Sequence, residues 1–289
     1  MRNYGPASLL LSCILALLLQ SCAPRSVRVA EEAPVRPFET NIFPAELTVE
    51  PGDQRMTVTW KRIGDGLISG YNIYISDEPL TRNSLPLALA ESAAPFNSSP
   101  YPGDTDPADG IERFEAEGLA NGRKYFVTVR VIFPDRSLSR PSNEVMAVCG
   151  PRGEISLVAR FAGENDGLAM TTGRFVRADA PENDLYFYSK DGIDYLASPS
   201  RLGGYTNRSL FDKLVLKRGD WDSIRRQLGE YRPNATEDRL AIKPGDWILL
   251  KRSDNTYAVI NVVRFDGAGR DRKVRLFYAY CPLPGELIF

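Results

Sequence analysis

Histidine is absent from the 289 residues. That single absence removes Ser-His-Asp and Cys-His catalysis, and with them the commonest zinc and iron ligand. Cysteine is scarce: there are four, and Cys13 and Cys22 both fall in the first 22 residues. Only Cys149 and Cys281 remain beyond them, too few for a cysteine metal site. No charge of one sign dominates, since 36 basic residues face 37 acidic ones. A balance of this kind argues against nucleic acid as a partner. No apolar run approaches the ~20 residues needed to cross a bilayer as a helix.

What is present begins with a leader. Met1-Arg2-Asn3 carries one positive charge, and an apolar run extends from Ala7 to Leu19. At roughly 13 residues it has the length of an export-signal core. It ends in Leu19-Gln20-Ser21-Cys22, which resembles the bacterial lipobox. The resemblance implies removal of residues 1–21 as a signal peptide and lipid attachment at Cys22. Three acyl chains on one residue would make release from a membrane negligible, because two anchoring signals already suffice. Ala23 stands where aspartate would favour inner-membrane retention. The expected location is therefore the cell envelope, lipid-anchored at the outer membrane. Residues 22–44 contain Pro24, Pro34, Pro37 and Pro44 without an apolar pattern, and read as a tether.

From Ala45 the hydrophobic period becomes two. Met56, Val58 and Trp60 alternate with Thr57 and Thr59, and turns at Pro51-Gly52-Asp53 and Gly64-Asp65-Gly66 punctuate the strands. Residues 45–150 resemble a fibronectin type III domain on specific positions. These are Trp60 in the second strand, Gly70-Tyr71 opening the third, and Leu119 six residues before Tyr125 across Asn121-Gly122. Ser139 to Val145 matches the entry to the last strand. The resemblance implies a β-sandwich in which Trp60, Tyr71, Leu119 and Tyr125 are core, with the Tyr125 hydroxyl bonded back to the chain. The stretch from Ala90 to Gly110 exceeds the family's usual length and reads as a long exposed loop.

Residues 151–289 form a second β-rich unit. Ile155 to Phe161 alternates; hairpins are expected about Lys190-Asp191-Gly192 and Ser253-Asp254-Asn255; Val274 to Tyr280 closes the set. Trp221 to Leu228 has the spacing of a short amphipathic helix. The fold class is all-β: a type III-like sandwich followed by a second β-sandwich or small β-barrel.

Candidate chemistry is sparse. Asp104, Asp106 and Asp109 precede Gly110, a pattern of carboxylates suited to calcium. Two residues separate the second and third acids where an EF-hand has one, so a solvated turn competes. No other cofactor is implied. Asp220 and Asp222, with Glu182, Asp184, Asp191 and Asp194, offer carboxylates for glycoside hydrolysis, against the plain reading that acids favour turns and helix starts. Aromatics are dense between Tyr186 and Tyr280. Neighbours on a strand face opposite ways, so one set is core and another is a candidate platform. In an oxidising compartment Cys149 and Cys281 either pair as a disulfide or stay as separate buried thiols. The expected function is a non-enzymatic, membrane-anchored interaction or scaffolding module with an envelope protein as partner. The alternative is a glycan-binding surface lipoprotein using the C-terminal aromatics.

Overall fold

The computed structural model describes residues 41–64, 68–80, 93–104, 106, 108–160, 162–203, 207–217 and 221–289. Cys22 and most of the tether lie outside these. The tether's last residues are docked: Ile42 packs against the first core, Pro44 is buried, and the Arg140 guanidinium lies 3.6 Å over the Phe43 ring.

The first sandwich has two three-stranded antiparallel sheets. One contains β1 (Thr48–Pro51), β2 (Arg55–Lys61) and β4 (Ile111–Glu117) in the order β1-β2-β4. The other contains β3 (Gly70–Ser76), β5 (Lys124–Ile132) and β6 (Val145–Val148) in the order β3-β5-β6. The alternation seen in the sequence works as read: Met56, Val58 and Trp60 face Tyr71, Ile73, Val127 and Val129 across one core. Full burial of each such side chain stabilises by about 1.5–3 kcal/mol relative to exposure. The Tyr125 hydroxyl accepts the Ala120 amide at 2.8 Å, which closes the corner.

The long loop is not simply exposed. Its second half lies along the free edge of β3. Tyr71 and Tyr101 exchange main-chain hydrogen bonds at 2.8 and 2.9 Å, and Phe96 N donates to Ile73 O at 2.7 Å. The Tyr101 ring packs edge-on against Trp60 and Phe114 at 6.1 and 5.2 Å. Edge donors and acceptors are thereby paired and the sheet's edge is blunted.

The second unit is a sandwich of two open five-stranded sheets, which resolves the barrel alternative. The first sheet uses β8 (Gly167–Ala169), β9 (Arg174–Val176), β10 (Leu185–Lys190), β11 (Ile193–Ala197) and β13 (Arg239–Ala241), ordered β13-β11-β10-β8-β9. The second uses β7 (Arg152–Val158), β12 (Leu210–Leu214), β14 (Trp247–Lys251), β15 (Tyr257–Asp266) and β16 (Lys273–Cys281), ordered β12-β14-β15-β16-β7. The β10–β11 turn has positive φ at both Asp191 (54°) and Gly192 (75°), as a two-residue type I′ turn requires. Leu157, Leu185, Phe187, Phe211, Ile248 and Ile260 fill the space between the sheets.

The outer face of the second sheet is apolar too. Helix α1 (Trp221–Glu230) lays Ile224 and Leu228 on it, and the tail adds Leu283, Leu287 and Phe289. The linker is bonded into both sandwiches: Gly150 N donates to Gly52 O at 3.0 Å, Gly122 N to Cys149 O at 3.0 Å, and Tyr280 N to Pro151 O at 2.9 Å. A Cβ at Gly150 would sit 2.3 Å from Tyr280 O, so only glycine permits this approach. Both sandwiches belong to one compact unit. Among the described residues no helix is long and apolar enough to cross a membrane.

Candidate functional site

The acidic loop is not assembled as a calcium cage. Asp104 Oδ1 accepts the Asp106 amide, Asp106 Oδ1 the Ala108 amide and Asp109 Oδ1 the Ile111 amide, each at 3.0 Å. Arg113 then pairs with Asp109 at 2.5 Å and lies 3.5 Å from Asp104. The Arg113 hydrogen bond holds the Asp109 carboxyl below its ordinary range. Asp104, Asp106 and Asp109 are therefore engaged by their own backbone turns and by a cation, and do not converge as ligands. Among the described residues no group of three acidic, Cys or His side chains is placed to hold a metal.

Of the acids considered for hydrolysis, the two that are buried are paired with different cations. Asp184 is fully buried; it lies 2.8 Å from Arg252 Nε and accepts from Met170 N at 2.7 Å and Asn207 Nδ2 at 2.8 Å. Asp194 pairs with a different cation, Arg272, at 2.6 Å. Asp191 occupies the hairpin turn, Glu182 and Asp222 are exposed, and Asp220 lies outside the described residues. Buried carboxylates held this way stay in place as parts of the scaffold.

Cys149 and Cys281 are not bridged: both are free and buried. They sit in different apolar clusters, Cys149 in the core of the first sandwich and Cys281 under the helix and tail of the second. Burial pushes both thiols up, Cys149 to about 11, so neither is a thiolate nucleophile at neutral pH.

The C-terminal aromatics are turned to packing. On the outer face of the first five-stranded sheet a ladder runs from Tyr186 through Tyr188 to Tyr195. Its rings stack at 5.7 and 4.9 Å with interplanar angles of 30° and 12°. Arg160 lies over the Tyr186 ring at 5.4 Å, and Arg239 over Tyr195 at 5.5 Å. Neighbouring rings and cations thus take up the ring faces that a sugar's C–H groups would need.

A recess at the junction of the two sandwiches was missed by sequence reasoning. The pairings Ala279↔Arg152 and Phe277↔Glu154 put Arg152 on the outer face of the second sheet, the face that Phe277 and Ala279 share. Over that face lies the β1–β2 turn of the first sandwich. Between them is a cavity of about 570 Å³ whose lining includes Glu50, Arg55, Met56, Arg152 and Phe277. Nε, Nη1 and Nη2 of Arg152 are all buried, and none has a hydrogen-bond partner among the described residues. Burial lowers the Arg152 guanidinium to about 10, helped by the nearby charge of Arg225 and opposed by Glu50. Arg225 on α1 reaches across the junction to Val49 O at 3.3 Å. Trp221, also on α1, meets Phe277 edge-on at 5.1 Å, and its buried Nε1 has no acceptor either. Two sets of orphaned donors thus border Phe277. Beside them, a second recess of about 610 Å³ is lined by Leu47, Val49, Val145, Arg225, Leu287 and Phe289.

No family model matches the chain. No curated protein matches it. Among solved structures, an Fn3-like protein from Clostridium thermocellum is similar over 37% of this chain and 91% of that one, at 14% identity and a TM-score of 0.26. A structure described as a myokine is similar over 38% of this chain and 96% of its own, at 18% identity and a TM-score of 0.24. The twitchin kinase region of C. elegans is similar over 86% of this chain and 39% of its own, at 12% identity and a TM-score of 0.26. Likeness at this level assigns no function.

Proposed function

We propose that this chain is a lipid-anchored envelope protein that binds rather than catalyses, with the junction between its sandwiches as the binding site. The anchoring half rests on Leu19-Gln20-Ser21-Cys22 after the apolar run, and the outer-membrane location on Ala23. The observation that carries the binding half is the unpartnered Arg152 guanidinium beside a cavity walled by both sandwiches. Buried polar groups in folded proteins are almost always hydrogen-bonded, and a charged group left dry costs several kcal/mol. Donors built into a cavity without acceptors favour a partner that brings acceptors. The type III-like sandwich is then one wall of the site and not only a spacer. Glycan binding through the C-terminal aromatics is the weaker reading, because neighbouring rings and Arg160 and Arg239 lie against the faces of the tyrosine ladder.

The test has two arms. Cys22→Ala should move the protein from the detergent phase to the soluble phase on fractionation; unchanged membrane retention defeats the anchor. A photo-crosslinker in place of Thr57, at the cavity wall, should give one recurrent product in living cells. The same crosslinker at Ile193, on the hairpin tip, should not. Equal labelling from both positions defeats the junction as the binding site.

A further inference from the structure

We infer that the junction cavity takes an oxyanion, a carboxylate or phosphate group carried on a molecule with an apolar portion. The inference rests on the reading of the junction as the binding site and names its ligand class. The orphaned atoms at the cavity are the three guanidinium nitrogens of Arg152, and all are donors. A guanidinium cannot accept a hydrogen bond, so only an acceptor-rich group satisfies it. A guanidinium offers a planar fork that matches two oxygens of one carboxylate or phosphate. Arg55 also lines the cavity, and Arg225 is close enough to lower Arg152. Glu50 and Asp53 are the acids that line the same cavity, and neither makes a hydrogen bond to Arg152.

The apolar portion follows from the lining. About 570 Å³ exceeds what a bare ion fills, and Phe277 supplies an apolar surface beside the donors. Arg152 belongs to the second sandwich and the cavity's opposite wall to the first. A bound anion would therefore tie the two together.

The test uses the full chain in detergent and three probes: inorganic phosphate, phenyl phosphate and benzoate. Sodium chloride holds the ionic strength constant. Thermal melts and calorimetry should show a saturable stabilisation by mass action, stronger for phenyl phosphate than for inorganic phosphate. Benzoate alone acting identifies a carboxylate ligand, phenyl phosphate alone a phosphate, and both acting supports the shared chemistry. Arg152→Met should weaken the effective probe about tenfold or more, as expected for losing charge-assisted hydrogen bonds, without lowering the melting temperature in chloride. Should that variant fail to fold, Arg152→Lys keeps the charge but not the planar fork and should weaken binding several-fold. No saturable response to any probe overturns the inference, as does wild-type affinity in the Arg152 variants. If titration fails while Thr57 cross-links persist, the ligand class alone is wrong. If cross-links vanish while titration holds, the anion site stands and the cellular binding role falls.

Discussion

Strand β2 of the first sandwich and strand β14 of the second bury their residues differently. In Arg55–Lys61, Met56, Val58 and Trp60 are buried and their neighbours are not. In Trp247–Lys251, Ile248 and Leu250 enter the inter-sheet core while Leu249 packs under α1 and the tail. Strands β15 and β16 repeat this: Ile260 and Leu276 face one cluster, Val259 and Ala279 the other. A sheet covered on one face reads as alternation; one covered on both reads as a near-continuous apolar run. The β1-β2-β4 sheet is thus covered on one face, and the β12-β14-β15-β16-β7 sheet on both, by a third layer of α1 and the tail. The third layer brings α1 against the first sandwich, where Arg225 reaches Val49 O and lines the second recess.

The comparison can be broken most forcefully at Asp184. A three-layer unit has room for a fully buried charge only as a pair, so Asp184→Ala should cost about 3–5 kcal/mol in urea melts by stranding Arg252. A cost below ~1 kcal/mol would mean that the second interior is wetter than its packing implies. Next comes the outer layer itself. Leu249→Ala should cost about 2–4 kcal/mol, the range of a buried Leu truncation. A near-neutral result would show α1 and the tail to be loosely applied to that sheet.

Tyr125→Phe sharpens the other side. It removes the acceptor of the Ala120 amide and should cost about 1–2 kcal/mol. A neutral change would show that the corner draws its stability from ring packing alone. The smallest effect belongs to Ile193, which is 47% exposed at the hairpin tip; Ile193→Ser should stay within about 0.5 kcal/mol. A larger loss would mean that the tip is covered in the intact protein.

Much of this fold was legible beforehand. Trp60, Tyr71, Leu119 and Tyr125 are core, the Asp191-Gly192 hairpin forms, and Trp221 opens a helix. The candidate ligands were less legible. Asp104, Asp106 and Asp109 have the residue type calcium wants, but each carboxylate is captured by a backbone amide two residues on. Residue type and spacing do not report such local competition. Arg152 carried no signal at all. It opens an alternating strand on the polar phase, where arginine is unremarkable.

By itself the sequence determined where strands begin, which residues share a face and where turns fall. These follow from the two-residue period and from the backbone demands of Gly, Pro and Asn, all short-range. Only the tertiary structure decided what covers each face. Alternation places Arg152 beside Phe277 and Ala279 but cannot say whether water or another sandwich lies above them. The register of β7 on β16 and the main-chain bonds of Gly150 and Pro151 bring the β1–β2 turn over that face. The same packing leaves Cys149 and Cys281 in separate cores, unbridged, and converts an ordinary surface arginine into a buried donor without a partner. Burial is a property of contacts between segments distant in the chain, and no local pattern carries it.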